Sequence, residues 1–196
     1  MSRASNQADG DVVREFLSVA DLLDEPQLAQ VYAYLAREGE ATVQELIDTL
    51  DLPQGTAYTY VNRLVNSSVL ERTSDEQPRT YAAREIQLTV TGADDEHEYT
   101  ITPALIDAVG RRTTDDDIDT YIDQHGIAGL ATALTYALER ERGEVTHQLM
   151  ARDLDISPLA AEIVLQALRP VVHEHFDIES PGASLAELND DINADS

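Results

Sequence analysis

A capped helix, a three-residue turn and a second helix constrain this chain more than any other feature. Thr42 is a good N-cap, and Glu45 stands three residues on, the spacing of a capping box. Gly39 just upstream ends an earlier helix, which starts at Asp24-Glu25-Pro26 with acids and proline in its first turn. That earlier helix carries an apolar stripe of Leu28, Val31, Tyr32 and Leu35, and Val43, Leu46, Ile47 and Leu50 face inward on the capped one. Asp51-Leu52-Pro53 reads as the turn, followed by a helix from about Gln54 to Ser67. Val69 to Thr73 reads as a strand, Asp75 to Arg79 as a turn, and Thr80 to Ala83 as a returning strand. Three helices and a β-hairpin, in that order, predict a winged helix-turn-helix.

The pattern changes beyond the hairpin. Ile86 to Val90 alternates at period two, and so does Tyr99 to Ile101 after a polar turn at Gly92 to Glu96, which predicts a second hairpin. Thr102-Pro103 caps a helix to about Arg111; a short acidic helix covers Asp115 to Gln124, and a longer apolar one Gly126 to Arg142. Upstream, Asp11 to Leu23 reads as an amphipathic helix with Val12, Phe16, Val19, Ala20 and Leu23 on one face. The expected fold is mainly α with small β-hairpins. The expected organisation is an N-terminal arm over 1–24, a winged helix over 25–85, a C-terminal α-rich dimerisation or regulatory domain over 86–180, and an acidic tail over 181–196.

Two stretches align without a gap. Gly39-Glu40-Ala41-Thr42 matches Gly143-Glu144-Val145-Thr146, and Leu50-Asp51-Leu52-Pro53 matches Leu154-Asp155-Ile156-Ser157 at the same offset. A second, degenerate helix-turn-helix-like unit is therefore expected in the C-terminal half. The helix in its reading position, Leu159 to Leu168, is apolar almost all round, which predicts burial in a core or a dimer interface.

The first copy is different. Leu52 to Leu70 contains no acidic residue, in a chain where about one residue in five is Asp or Glu. Turned at helical pitch, Ala57, Val61 and Leu64 fall on one side, with Gly55, Tyr58, Thr59, Asn62 and Asn66 on the other and Arg63 at the edge. Such a face suits a major groove: Asn and Gln pair with adenine, Arg with guanine, and Thr meets a thymine methyl. Gln54, Gly55 and Thr56 at the helix start let a phosphate approach the backbone. A solvated face in this chain would carry Asp and Glu, and here they are missing. The hairpin adds Arg72, Gln77, Arg79, Thr80 and Arg84, with Arg79 near its tip, so that Leu52 to Arg84 is a locally cationic island.

A net charge of −25 by itself opposes a polyanionic partner. All 13 basic residues are Arg, Lys is absent, and Asp outnumbers Glu. Acidic surfaces without Lys resemble those of proteins from extreme halophiles, where molar salt shortens the Debye length to about 3 Å. Global repulsion is then screened, and only the pattern at the contact face counts.

The stretch Thr42-Val43-Gln44-Glu45-Leu46, Leu52-Pro53-Gln54-Gly55-Thr56-Ala57-Tyr58, Leu64 and Val69-Leu70 resembles the winged helix of archaeal regulators of the ArsR, MarR and TrmB-like sort. The downstream half, from Ile101-Thr102-Pro103-Ala104-Leu105 to Asp155-Ile156-Ser157-Pro158-Leu159, resembles haloarchaeal helix-turn-helix proteins known mainly as predicted regulators. The resemblance implies a dimeric transcription factor on double-stranded DNA. It implies no ligand.

Other chemistry finds little support. There are no cysteines, so disulfides, thiolate zinc sites and cysteine nucleophiles are excluded. Asp115, Asp117 and Asp119 start like a calcium loop, but Thr120 and Gly126 stand where its glycine and glutamate belong. His173 and His175 fall on different faces of a helix, and neither a phosphate-binding glycine loop nor a nucleophile elbow occurs. No catalytic residue, metal ligand or cofactor is expected. The apolar run Gly126 to Leu138 is too short for a bilayer and residues 1–11 lack a signal-peptide core, so a cytoplasmic, nucleoid-associated protein is expected. A protein-interaction role for the winged helix, or a ligand-sensing C-terminal domain, stays open.

Overall fold

The computed structural model describes residues 19–91 and 98–178. The predicted helix from Asp11 enters that range only at its end. Residues 19–24 are helical, and Leu22 is buried with Val19, in place of the Leu23 expected from the periodicity. Polar residues 92–96 and the tail beyond 181 lie outside the described residues. By packing, the chain divides into two compact units, between Ala131 and Thr132, whereas composition placed a boundary near residue 85.

In the first unit, α1 (Pro26–Glu38) is the central element, with Leu28, Ala29, Val31, Tyr32, Ala33 and Leu35 buried. Proline opens it, and Gly39, at φ 82, closes it by giving its N–H to the Leu35 carbonyl. A two-residue strand, β1 (Ala41–Thr42), leads into α2 (Val43–Leu50). The capping box is present. The Thr42 hydroxyl accepts from the Glu45 N–H, and the Glu45 carboxylate accepts from the Thr42 N–H at 2.7 Å. The Thr42 N–H, then the Thr42 hydroxyl, which also donates to that carboxylate at 2.8 Å, hold the Glu45 carboxyl below its usual range. Val43 and Leu46 are buried; Ile47 and Leu50 are half-buried. Asp51, in the left-handed region at φ 50, turns the chain into α3 (Gln54–Asn66), which buries Ala57, Val61 and Leu64.

The wing is β2 (Leu70–Ser74) and β3 (Thr80–Ala83), antiparallel, with an irregularity between Arg72 and Ser74. β1 also pairs with β3, Ala41 opposite Tyr81, giving a three-stranded sheet in the order β1-β3-β2. Thr42 thus serves both as cap and as strand, and two residues are too few to show an alternation in the sequence. The second hairpin is β4 (Leu88–Thr91) with β5 (Glu98–Ile101). Ile86, expected to begin β4, lies before it, buried. Helix α4 (Pro103–Arg111), capped by Thr102, packs along α1.

The acidic and apolar helices expected separately run together as α5 (Asp116–Glu141), broken at Gly126, where φ is 68 and ψ −175. That backbone region is close to glycine-only. The second unit contains the end of α5, then α6 (His147–Asp153) and α7 (Pro158–His175). Its local devices match those of the first unit: Gly143 at φ 79, a Thr146 cap and Asp155 at φ 52. α7 departs from the expected all-round burial. Ala161, Val164, Leu165, Leu168, Val171 and Val172 are buried, but Leu159 is 70% exposed and Ile163 38%. Composition gives the preference of a face for apolar surroundings; burial also needs an element lying over it. Glu162 on α7 accepts both guanidinium arms of Arg140, at 2.8 and 3.0 Å, and an N–H of Gln166.

Gly126→Ala should destabilise the protein by about 1–3 kcal/mol in denaturant unfolding, purely from backbone strain, since an added Cβ meets nothing within 4 Å. Arg140, then Gln166, pushes the Glu162 carboxyl from 4.5 down to about 2. A depressed carboxyl contributes stability that is full above pH 4.5 and is lost as pH falls toward 2. Glu162→Gln should therefore flatten the acid limb of an unfolding profile in that window.

Candidate nucleic-acid interface

Helix α3 presents the outward face the sequence predicts. Gln54, Gly55, Tyr58, Thr59, Asn62 and Asn66 are exposed, and Thr56 is half-buried at the helix start. The buried trio Ala57, Val61 and Leu64 fixes the helix against the first unit, so its rotation is set by packing. Tyr58 is 48% exposed, a large ring that the core does not use. A Cβ at Gly55 would meet nothing within 4 Å, so no internal packing requires glycine there. α3 also starts at Pro53 without a side-chain cap. Its first-turn N–H groups are left to solvent or to an anion.

Two recesses flank this face. A shallow depression is lined by Thr59, Asn62, Arg63, Asn66 and Ser67. A cleft of about 200 Å³ on the other side is lined by Thr42, Val43, Gln44, Tyr58, Gln77, Pro78, Arg79 and Tyr81. The second recess joins the start of α2, α3 and the wing tip. Gln44, on the first turn of α2, lines this cleft and lies outside the set expected from the sequence.

The wing is tied down beside this cleft. The Thr80 hydroxyl donates to the Glu40 carboxylate at 2.7 Å, and the Thr73 hydroxyl donates to the same oxygen. Thr73, then Thr80, holds the Glu40 carboxyl below its usual range. Through Glu40, the residue before β1 grips both strands of the wing.

The cationic island of the sequence reading is mostly paired. Arg63, at the edge of the outward face, is held by two acids, with Nη1 2.6 Å from Glu25 and Nη2 2.8 Å from Asp21. Arg72 meets Asp75 at 3.0 Å, and Arg84 meets Glu71 at 3.3 Å. Arg79, in the cleft, makes no ion pair with a described residue. Neither Asp21 nor Glu25 was linked to Arg63 from sequence, because the contact spans helices whose mutual packing a periodicity does not give.

Residues 28–87 match the family described as sugar-specific transcriptional regulator TrmB, and residues 112–177 match a family of unknown function, DUF7437. Each match covers less than half of the chain. The first bears out the TrmB-like part of the expected resemblance, and its family is one of transcriptional regulators, not of enzymes. No curated protein and no solved structure matches the chain. Among the described residues, no helix is long and apolar enough to cross a membrane.

Because the outward face is surplus to the core, Tyr58→Ala and Asn62→Ala should each stay within about 0.5 kcal/mol of the parent in denaturant unfolding. Leu64→Ala, on the opposite side of the same helix, should cost about 2–5 kcal/mol. A large loss at Tyr58 or Asn62 would mean that the face is held by packing.

Proposed function

We propose that this chain is a sequence-specific, double-stranded DNA-binding transcription regulator of a halophilic archaeon. The observation that carries the proposal is the acid-free outward face of α3, in a chain of net charge −25, set beside the wing tip. Gln54, Tyr58, Thr59, Asn62 and Asn66 enter the major groove, where their amides and hydroxyls meet base edges. Gly55 and Thr56 bring uncapped N–H groups to a phosphate. Arg79, with Gln77 and Gln44 nearby, follows the backbone or the adjacent minor groove.

The active form is a homodimer, with two α3 helices about 34–36 Å apart on a near-palindromic site. The second unit supplies the dimer contact, and α6 with α7 is a helix-turn-helix-like pair that no longer reads DNA. In favour of this, the exposed positions Leu159 and Ile163 fall at the repeat equivalents of Gly55 and Thr59. Apolar side chains there cannot answer a base edge. The match of residues 28–87 to a transcriptional regulator family supports the same reading.

Selection from genomic fragments in molar KCl tests it. The expected result is enrichment of a related set of duplexes. With Asn62→Ala, discrimination at one base pair of the selected site should fall by about 1–3 kcal/mol, read by competition binding. No duplex bound at any salt would turn the exposed Tyr58 face into a protein-docking surface instead.

A further inference from the structure

We infer that this interface reads DNA with a shallow dependence on salt, because Arg79 is the one cation on it, among the described residues, that is free to displace counterions. The inference rests on the DNA-binding reading above and specifies its physical mode. Affinity for duplex DNA falls with salt because each phosphate neutralised by a protein cation releases condensed counterions, about 0.9 per contact. What counts is the number of net cations delivered to phosphate, not the number of arginines near it.

Four arginines lie between Leu52 and Arg84. Arg63 is shared between Asp21 and Glu25, one cation between two anions. Arg72 has Asp75, and Arg84 has Glu71. For any of these three to meet a phosphate, its carboxylate must travel with it or be left bare. A carboxylate brought to a phosphate holds a cation there, and a bared one gathers a cation from solution. Either way, the release expected from the new contact is largely cancelled. Arg79 carries no such cost. It is exposed, and it lies in the cleft with Tyr58, Gln77 and Gln44.

The remaining reading groups are neutral: Gln54, Tyr58, Asn62 and Asn66 donate and accept without exchanging ions. Their hydrogen bonds to base edges are short-ranged and barely feel ionic strength. A surface built this way keeps its sequence discrimination in concentrated salt, where a conventional array of phosphate contacts is lost.

The test is the slope of log affinity against log KCl for the full chain on a selected duplex, by fluorescence anisotropy over a tenfold range of salt. With Arg79 as the single net contact, the slope is about −0.9 per protomer, an eightfold loss over that range. Arg79→Gln should bring the slope near zero, and Arg63→Gln, Arg72→Gln and Arg84→Gln should each leave it unchanged. A wild-type slope near −3.6 per protomer, a loss of about 4000-fold, would show that all four arginines neutralise phosphates. That would overturn the inference and leave the DNA-binding reading standing. A slope that survives Arg79→Gln would overturn it as well. Failure to bind any duplex would instead remove the DNA-binding reading. Should Arg63→Gln not fold, the wild-type slope and Arg79→Gln decide alone.

Discussion

Burial of α1 is the constraint on which the first unit depends. Leu28, Val31, Tyr32 and Leu35 are fully enclosed, and α2, α3, α4 and β3 all pack against the helix that carries them. The Tyr32 hydroxyl donates to the Arg84 carbonyl at 2.9 Å, so a polar tip deep in the core secures the chain as it leaves the wing. Burial pushes that phenol's pKa well up, which keeps it neutral and available as a donor. On the far side α4 comes so close that a Cβ at Gly110 would stand 3.1 Å from the Gln30 backbone nitrogen. Gly110 therefore permits the helix contact. With α1 fixed, the inward sides of α2 and α3 are fixed, and so are their outward ones.

From that scaffold the interface follows with little freedom. Three buried residues set the rotation of α3, and their opposites become its exposed face. The wing takes its position from three sources: its own pairing, β1 alongside β3, and Glu40 bridging Thr73 and Thr80. The Val69 N–H bonds to the Leu64 carbonyl, which joins the end of α3 to the start of the wing. A cleft built from α2, α3 and the wing tip is thus held by backbone ladders and charge-assisted bonds.

Charge is organised at two scales. Over the whole chain it is strongly acidic. Around α3 it is close to balanced, because three arginines are matched by nearby carboxylates. Exposed pairs of this kind add little to stability, typically below about 1 kcal/mol each. Their larger consequence is electrostatic: they remove cations from the surface that a count of arginines had credited to it. Neutral amides and hydroxyls are then the groups that the outward face of α3 chiefly presents.

The sequence by itself determined the local features. Capping at Thr42, Thr102 and Thr146, helix ends at Gly39 and Gly143, the turn through Asp51 and the inward trio of α3 all depend on residues within a few positions of one another. Such preferences are written in the chain because a cap or a helical face closes within one or two turns. The tertiary structure alone decided what meets across distance. It brought Glu25 to Arg63 from 38 residues away, laid Ala41 beside Tyr81, and left Leu159 and Ile163 uncovered on a helix whose composition predicted burial. An ion pair or a buried face is a property of two surfaces. Periodicity describes only one of them, so the tally of arginines was legible in the sequence, and which one stands unpaired among the described residues was not.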